Sequence, residues 1–352
     1  MKKTLVAIAA LTAVSAFAQS TVGIKGTFDP SIRNQVTTYG NSATRSTTGL
    51  ANNVQSTSQV TFFGTEDIGG GLKANFLFEN DFDATKDANN GTGSTASFAN
   101  FGSAGGEQFV GLEGGFGNVQ LGAANTPSLD VSGRSPFGTK IGSGFSTAVG
   151  LGAQGLGHVR EGNSIVYTTP TFAGFTLKAA TSGKSVDLAS ANGTAVTRAA
   201  SKEDIGLTYV NGPLKAVLAN FRQEGVHKQT HGYVAYTLGS LTATVGAGRD
   251  EHLVAVASAA TTAAQVAGKS SNYNVAAAYT VGATTYMANY AKLDNKSTDN
   301  YDIKITSVGA KYELSKRTSL YARYAKQTID NATNALLAKE QKTTAVGVQH
   351  NF

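Results

Sequence analysis

The chain has 352 residues with no Cys, no Trp and only 5 Pro. Without Cys there is no disulfide framework, no thiolate zinc site and no cysteine nucleophile. Beyond the first twenty residues no run of about 18 apolar residues occurs, which excludes a bundle of spanning helices. The charge balance is mild, 29 Lys and Arg against 23 Asp and Glu for a formal +6, and no basic-aromatic stripe is present, so no nucleic-acid partner is expected. What the chain has instead is 41 Gly, 13 Tyr and 17 Phe, the composition of strands and turns carrying aromatic bodies. Its mean hydropathy lies slightly below zero. A strand that alternates lipid-facing and water-facing residues gives the same average as a soluble protein, so this value decides nothing.

The two ends are the most informative stretches. Lys2 and Lys3 precede an apolar run from Leu5 to Val14, and Ala16-Phe17-Ala18 fits an A-x-A cleavage site. Residues 1–18 are therefore expected to be a cleaved secretory signal peptide and residues 19–352 a single β-barrel domain. At the other end, Thr344, Val346, Val348, His350 and Phe352 share one face, and Thr343, Ala345, Gly347, Gln349 and Asn351 the other. A strand that alternates to the last residue is expected where both of its edges are paired, as in a closed barrel.

Alternation and turn signals between these ends give sixteen strands, near 20–31, 57–67, 70–82, 106–113, 117–124, 160–169, 173–183, 202–210, 213–224, 230–238, 240–250, 270–280, 283–293, 301–313, 316–328 and 341–352. The connections alternate in length. Tight turns such as Asn211-Gly212-Pro213, Leu238-Gly239-Ser240 and Val281-Gly282 are separated by long polar loops such as 33–56, 83–105, 183–201, 250–269 and 329–340. Short turns on one side and long loops on the other is the outer-membrane pattern. Tyr321, Arg323 and Ala325 are read as lumen-facing, and Tyr286 and Tyr290 as interface aromatics; the strand at 213–224 is ambiguous by this test and leaves its lumen side unassigned. The longest connection, 125–159, is expected to fold inward and narrow what would otherwise be a wide aqueous hole.

Four stretches then carry a family resemblance: Phe62 to Ala74, Phe109 to Leu112 with Phe116 to Gly122, Asn163 to Pro170 with Phe172 and Phe175, and Leu314 to Tyr321. In this order, with the signal and the ending VGVQHNF, they resemble Gram-negative general diffusion porins of the beta-proteobacterial type. The resemblance implies an all-β, transmembrane 16-stranded antiparallel β-barrel with an inward-folded third loop, a homotrimer in the bacterial outer membrane. It also implies contact with outer-membrane lipid and lipopolysaccharide, and a terminal Phe352 read by the barrel-assembly machinery. Family ladder positions match Lys25 and Arg160, while Gln59, Phe63, Gly106 and Ala123 stand where basic residues are common.

The function expected is passive diffusion of ions and small hydrophilic solutes, without cofactor or metal. Charges ringing the narrowest section act through water over about 8–10 Å. Lys25, Arg134, Lys140 and Arg160 against Asp130 imply weak anion preference, with Phe63 as an aromatic wall. The alternative for Arg134 and Lys140 places them away from the constriction, on solvent or lipopolysaccharide phosphate. Competing functions are a substrate-selective porin, a closed barrel with an adhesive or structural role, and a barrel enzyme. The last finds little support: His227 and His231, four apart in a segment read as loop and strand, are not expected to converge on a metal, and His158, His252 and His350 lack a nucleophile pattern. Gly183-Lys184-Ser185 and Gly268-Lys269-Ser270 lack the first Gly of a phosphate loop and read as ordinary loop residues.

Overall fold

A computed structural model describes residues 20–85, 105–144, 159–183, 201–252, 268–296, 302–330 and 338–352. Residues 1–18, expected to be a signal peptide, and His158 lie outside them. The described strands are β1 (Thr21–Phe28), β2 (Pro30–Tyr39), β3 (Thr44–Asn52), β4 (Gln59–Gly69), β5 (Leu72–Asp81), β6 (Gln108–Gly114), β7 (Gly117–Ala123), β8 (Ser164–Thr168) and β9 (Phe175–Ser182). They continue with β10 (Lys202–Asn211), β11 (Leu214–Gln223), β12 (His227–Leu238), β13 (Leu241–His252), β14 (Gly268–Val281), β15 (Thr284–Asn295), β16 (Asp302–Glu313), β17 (Thr318–Asp330) and β18 (Ala338–Asn351).

These strands form one antiparallel sheet that closes on itself. β18 pairs with β17 along one edge and with β1 and β2 along the other. β1 and β2 are halves of one stave, broken at Asp29, and β3 and β4 are halves of the next, broken over 53–58: β1 lies against β4 and β2 against β3. Counted by staves, the barrel has sixteen strands. The break is held by Asp29, whose buried carboxylate accepts hydrogen bonds from the backbone N–H groups of Gln55 (2.6 Å) and Ser56 (2.8 Å) and from the Tyr321 hydroxyl (2.6 Å). Three donors to one buried carboxylate satisfy the polar groups that a broken ladder would otherwise strand.

Period two sorts the side chains. Val234, Val245 and Val275 are successive cross-strand neighbours and remain 50%, 60% and 53% exposed, as part of an apolar outer surface that includes Ile24, Leu121, Ile205, Leu218, Val308 and Val346. Such a surface is stable against hydrocarbon and not against water. Tyr236, Tyr279, Tyr286 and Tyr312 stand outward near the tight turns, and Tyr273, Tyr290 and Tyr324 outward near the long-loop ends, two aromatic belts at interface height. The opposite face carries Tyr321, Arg323, Asn274, Asn289 and Ser307, all buried.

Several expectations need correction. The stretch 33–56 is no simple loop, because β2 and β3 pair from Pro30↔Asn52 to Thr38↔Thr44 and extend the first hairpin; its Ser, Thr and Asn content hides a strand whose faces are both polar. The strand expected at 160–169 spans only Ser164–Thr168. Gly268-Lys269-Ser270 opens β14 and is not loop. Within β11, Val217, Ala219 and Phe221 are buried on the inner side while Leu218 is 53% exposed outside. Both faces are apolar there because the inner one packs on protein.

Candidate functional site

Residues 125–144 make contacts with buried side chains along one arc of the sheet. This segment contains a helical turn, Pro127–Asp130, and a 3-10 turn, Val131–Arg134. Pro127 starts the first turn, where its missing N–H costs nothing. Val131 packs on Val217, Ala219 and Tyr233. The Ser128 N–H donates to Asp204 on β10 at 2.9 Å. Arg134, with no exposed surface, donates from Nε to Asn274 Oδ1 at 2.5 Å, and Asn274 Nδ2 donates back to the Arg134 carbonyl at 2.6 Å. The Gly142 carbonyl accepts from Ser307 Oγ (2.7 Å) and Asn289 Nδ2 (3.1 Å). Arg323 Nη1 donates to the Val54 and Ile141 carbonyls at 3.0 and 3.1 Å, with its guanidinium 5.1 Å from the Phe137 ring centroid. Gly246 leaves the space for this: a Cβ there would stand 2.4 Å from Asn274 Oδ1 and 2.6 Å from Arg134 Nε. Burial pushes the Arg134 guanidinium down to about 9, against the pull of Asp250, and it is still charged at neutral pH. Burial also lowers Lys140, whose Nζ donates to Thr57 Oγ1 at 2.6 Å.

A second arc, on β1, β4 and β5, holds the other basic residues. Lys25 is exposed, and its Nζ lies 5.3 Å from the Phe63 ring centroid. Lys25, Thr61 and Glu79 are consecutive partners in one cross-strand row. Arg160, part-exposed, donates from Nη1 to Asn125 Oδ1 at 3.1 Å and stands 3.8 Å from Glu79 Oε1. Asn125 is in turn fixed by Glu107, which accepts from its N–H and its Nδ2, both at 2.9 Å. Asp130 is exposed and pairs with Lys178 at 3.6 Å, and Glu161 pairs with Lys202.

The structure thus brings Lys25, Phe63 and Arg160 to one arc, holds Lys140 near Thr57, buries Arg134 against β14, and sets Asp130 beside Lys178. Sequence reasoning missed Glu79, Glu107, Lys178 and Lys202, and read Arg323 as lumen-facing without giving it a role in holding residues 125–144. Glu79 and Lys178 sit at inward positions of strands that it had placed, so parity was the usable signal. His227, read as loop, shares one strand with His231. Both lie on β12, where residues four apart share a face, and both imidazoles meet one carboxylate: Asp250 is 3.1 Å from His231 Nε2 and 3.5 Å from His227 Nε2, and accepts from Gln229 Nε2 at 2.5 Å. His252 stacks on His227 with centroids 4.1 Å apart. Among the described residues no group of three or more His, Asp or Glu side chains is arranged to hold a metal ion. At the chain end, the Phe352 and Gly26 backbones exchange two hydrogen bonds of 3.0 Å, and the Phe352 ring lies 5.9 Å from that of Phe28.

Sixteen staves with an apolar outside, two aromatic belts and a polar inner face define a transmembrane barrel of the outer-membrane kind. The sequence matches the family model described as Gram-negative porin over residues 4–332. It is 30% identical over its full length, and theirs, to an outer membrane porin protein of Bordetella pertussis and to outer membrane porin protein 32 of Delftia acidovorans. It is also 30% identical to the major outer membrane protein P.IB of Neisseria gonorrhoeae, with 91% of each chain covered. Among solved structures, an anion-selective porin from Comamonas acidovorans superposes with a TM-score of 0.72 at 24% identity, covering 95% of this chain and all of that one. The chain belongs to the Gram-negative porin family and is an outer-membrane protein. Porins are channels and not enzymes.

Proposed function

We propose that the barrel is a water-filled passage for passive diffusion of ions and small hydrophilic solutes, with weak anion preference. The passage is narrowed by residues 125–144. The observation that carries this reading is the attachment of that segment to inward side chains of successive staves, Asn274, Asn289, Ser307 and Arg323, while Lys25, Phe63 and Arg160 line a different arc. A segment fixed to one side of a sixteen-stranded lumen reduces its width without closing it. Anion preference is supported by the cations Lys25, Lys140 and Arg160 and by the likeness to a porin titled anion-selective.

The working unit proposed is a homotrimer, in contact with lipopolysaccharide and inserted by the barrel-assembly machinery that reads Phe352. Planar-bilayer recording of the purified protein across a KCl gradient tests the passage and the trimer. Conductance in groups of three steps, with a reversal potential on the chloride side, is the expected result. Insertion without conductance would overturn the diffusion reading, and single steps would overturn the trimer.

A further inference from the structure

We infer that Glu79 is a specificity-determining residue of the passage, holding its anion preference low by neutralising Arg160 on the same arc; this rests on the diffusion reading above. The carboxylate is fixed in place. Its Oε2 accepts from Gln59 Nε2 at 2.5 Å and Thr61 Oγ1 at 3.4 Å, and its Oε1 accepts from the Glu107 N–H at 3.4 Å and faces Arg160 Nη1 at 3.8 Å. On its other side Lys25 is two strands away along the same row, roughly 10 Å by inter-strand spacing and within about one Debye length. Glu79 thus sits between the two cations that the sequence offers for anion attraction.

Its neighbours have a different part. Glu107 uses both oxygens on Asn125, whose Oδ1 accepts from Arg160, so Glu107 positions the guanidinium. Asp81 is the next inward residue on β5 after Glu79 and lies opposite Gln59. Lys25, Lys140 and Arg160 therefore face Glu79, Asp81 and Glu107, and the arc is close to neutral although the chain as a whole is basic. The Glu79 side chain is 13% exposed and that of Arg160 28%, so a passing ion feels both charges partly through water.

The test is the reversal potential of the full-length protein in a KCl gradient, for wild type and for Glu79→Gln, Glu79→Ser, Glu79→Asp and Arg160→Ala. Both neutral variants are expected to raise the chloride-to-potassium permeability ratio by about fourfold, the combined effect on anion and cation of one unit charge roughly 5 Å away in water screened over about 8 Å. Glu79→Asp keeps the wild-type ratio, and Arg160→Ala lowers it. The double variant Glu79→Gln with Arg160→Ala returns near wild type. If Arg160→Ala shifts the potential and neither neutral Glu79 variant does, the inference is overturned and the channel reading stands. If wild type does not conduct, the channel reading fails first. Two neutral variants of different size separate loss of charge from loss of fit, since a packing defect would not move both in one direction while sparing Glu79→Asp.

Discussion

Arg134 lies within the 125–159 connection and Arg160 directly after it, and the two end in opposite surroundings. Arg134 is fully enclosed, shares two hydrogen bonds with Asn274 and fastens the segment to β14; Arg160 is part-exposed and faces the Glu79 carboxylate. On the β14–β17 arc Arg323 is a second such staple, donating to the carbonyls of Val54 and Ile141. The β1–β4–β5 arc leaves its cations near water and balances them with acids. A charge contributes to ion selection only where mobile ions can approach it, and contributes to stability where its loss would leave buried polar groups without partners.

This contrast can be broken by substitution. Arg134→Ala should be the largest effect, about 2–4 kcal/mol of lost stability, because Asn274 Oδ1 loses its Arg134 Nε donor in a buried site and a cavity opens, although the bond from Asn274 Nδ2 to the residue-134 carbonyl remains. Chemical denaturation in detergent micelles would show it as a lower midpoint, while the reversal potential of the folded fraction stays near wild type. Arg160→Ala should do the reverse, with stability changed by less than about 1 kcal/mol and a potential shifted toward cations. If Arg134→Ala moved selectivity and left stability intact, the division into a stapled arc and a conducting arc would be wrong.

A smaller effect tests the space between them. Gly246→Ala puts a methyl group within 2.4 Å of Asn274 Oδ1 and 2.6 Å of Arg134 Nε. It should cost about 1–3 kcal/mol by overpacking. Because the displaced segment is the one proposed to narrow the lumen, single-channel conductance should change along with stability. A change in stability with no change in conductance would mean that the segment is anchored where it does not limit ion flow.

The barrel was legible in the sequence because its evidence is periodic. Alternation gives the staves, tight turns against long loops give their polarity, and the last ten residues give the closing strand. What was hidden had no period. β2 and β3 were missed because polar faces on both sides erase the alternation, and the inner side of β11 could not be chosen because Val131 covers it with apolar surface. The basic residues of the site could be found as residues, and Lys25 and Arg160 do share an arc. Their electrostatic setting could not, because Glu79 and Asn125 reach Arg160 only through folding, over sequence gaps that no local motif spans. The meeting of His227 and His231 at Asp250 went unseen for a simpler reason: spacing of four was read at helical period in what is a strand, where it also means one face.

Lys140 stands between the two arcs, and pH is the variable that assigns it to one. Its ammonium donates to Thr57, and burial lowers its pKa, opposed by Asp81 and Asp29. The folded protein then binds this proton more weakly than the unfolded chain does. Between the lowered value and the ordinary lysine range near about 10.4 the unfolded state holds more protons, so this group makes stability rise with pH across that window. The same deprotonation removes a positive charge beside the proposed passage, so anion preference should fall as pH rises through the window, before exposed lysines titrate. Reversal potentials from neutral pH to about pH 11, compared with Lys140→Met, check both parts. If Lys140→Met already has the high-pH potential at neutral pH and loses the early fall, Lys140 belongs with Lys25 and Arg160 on the conducting side. If the variant tracks wild type at every pH, Lys140 is a staple like Arg134, and its charge is spent on holding the segment to the 53–58 break and not on the ions that pass.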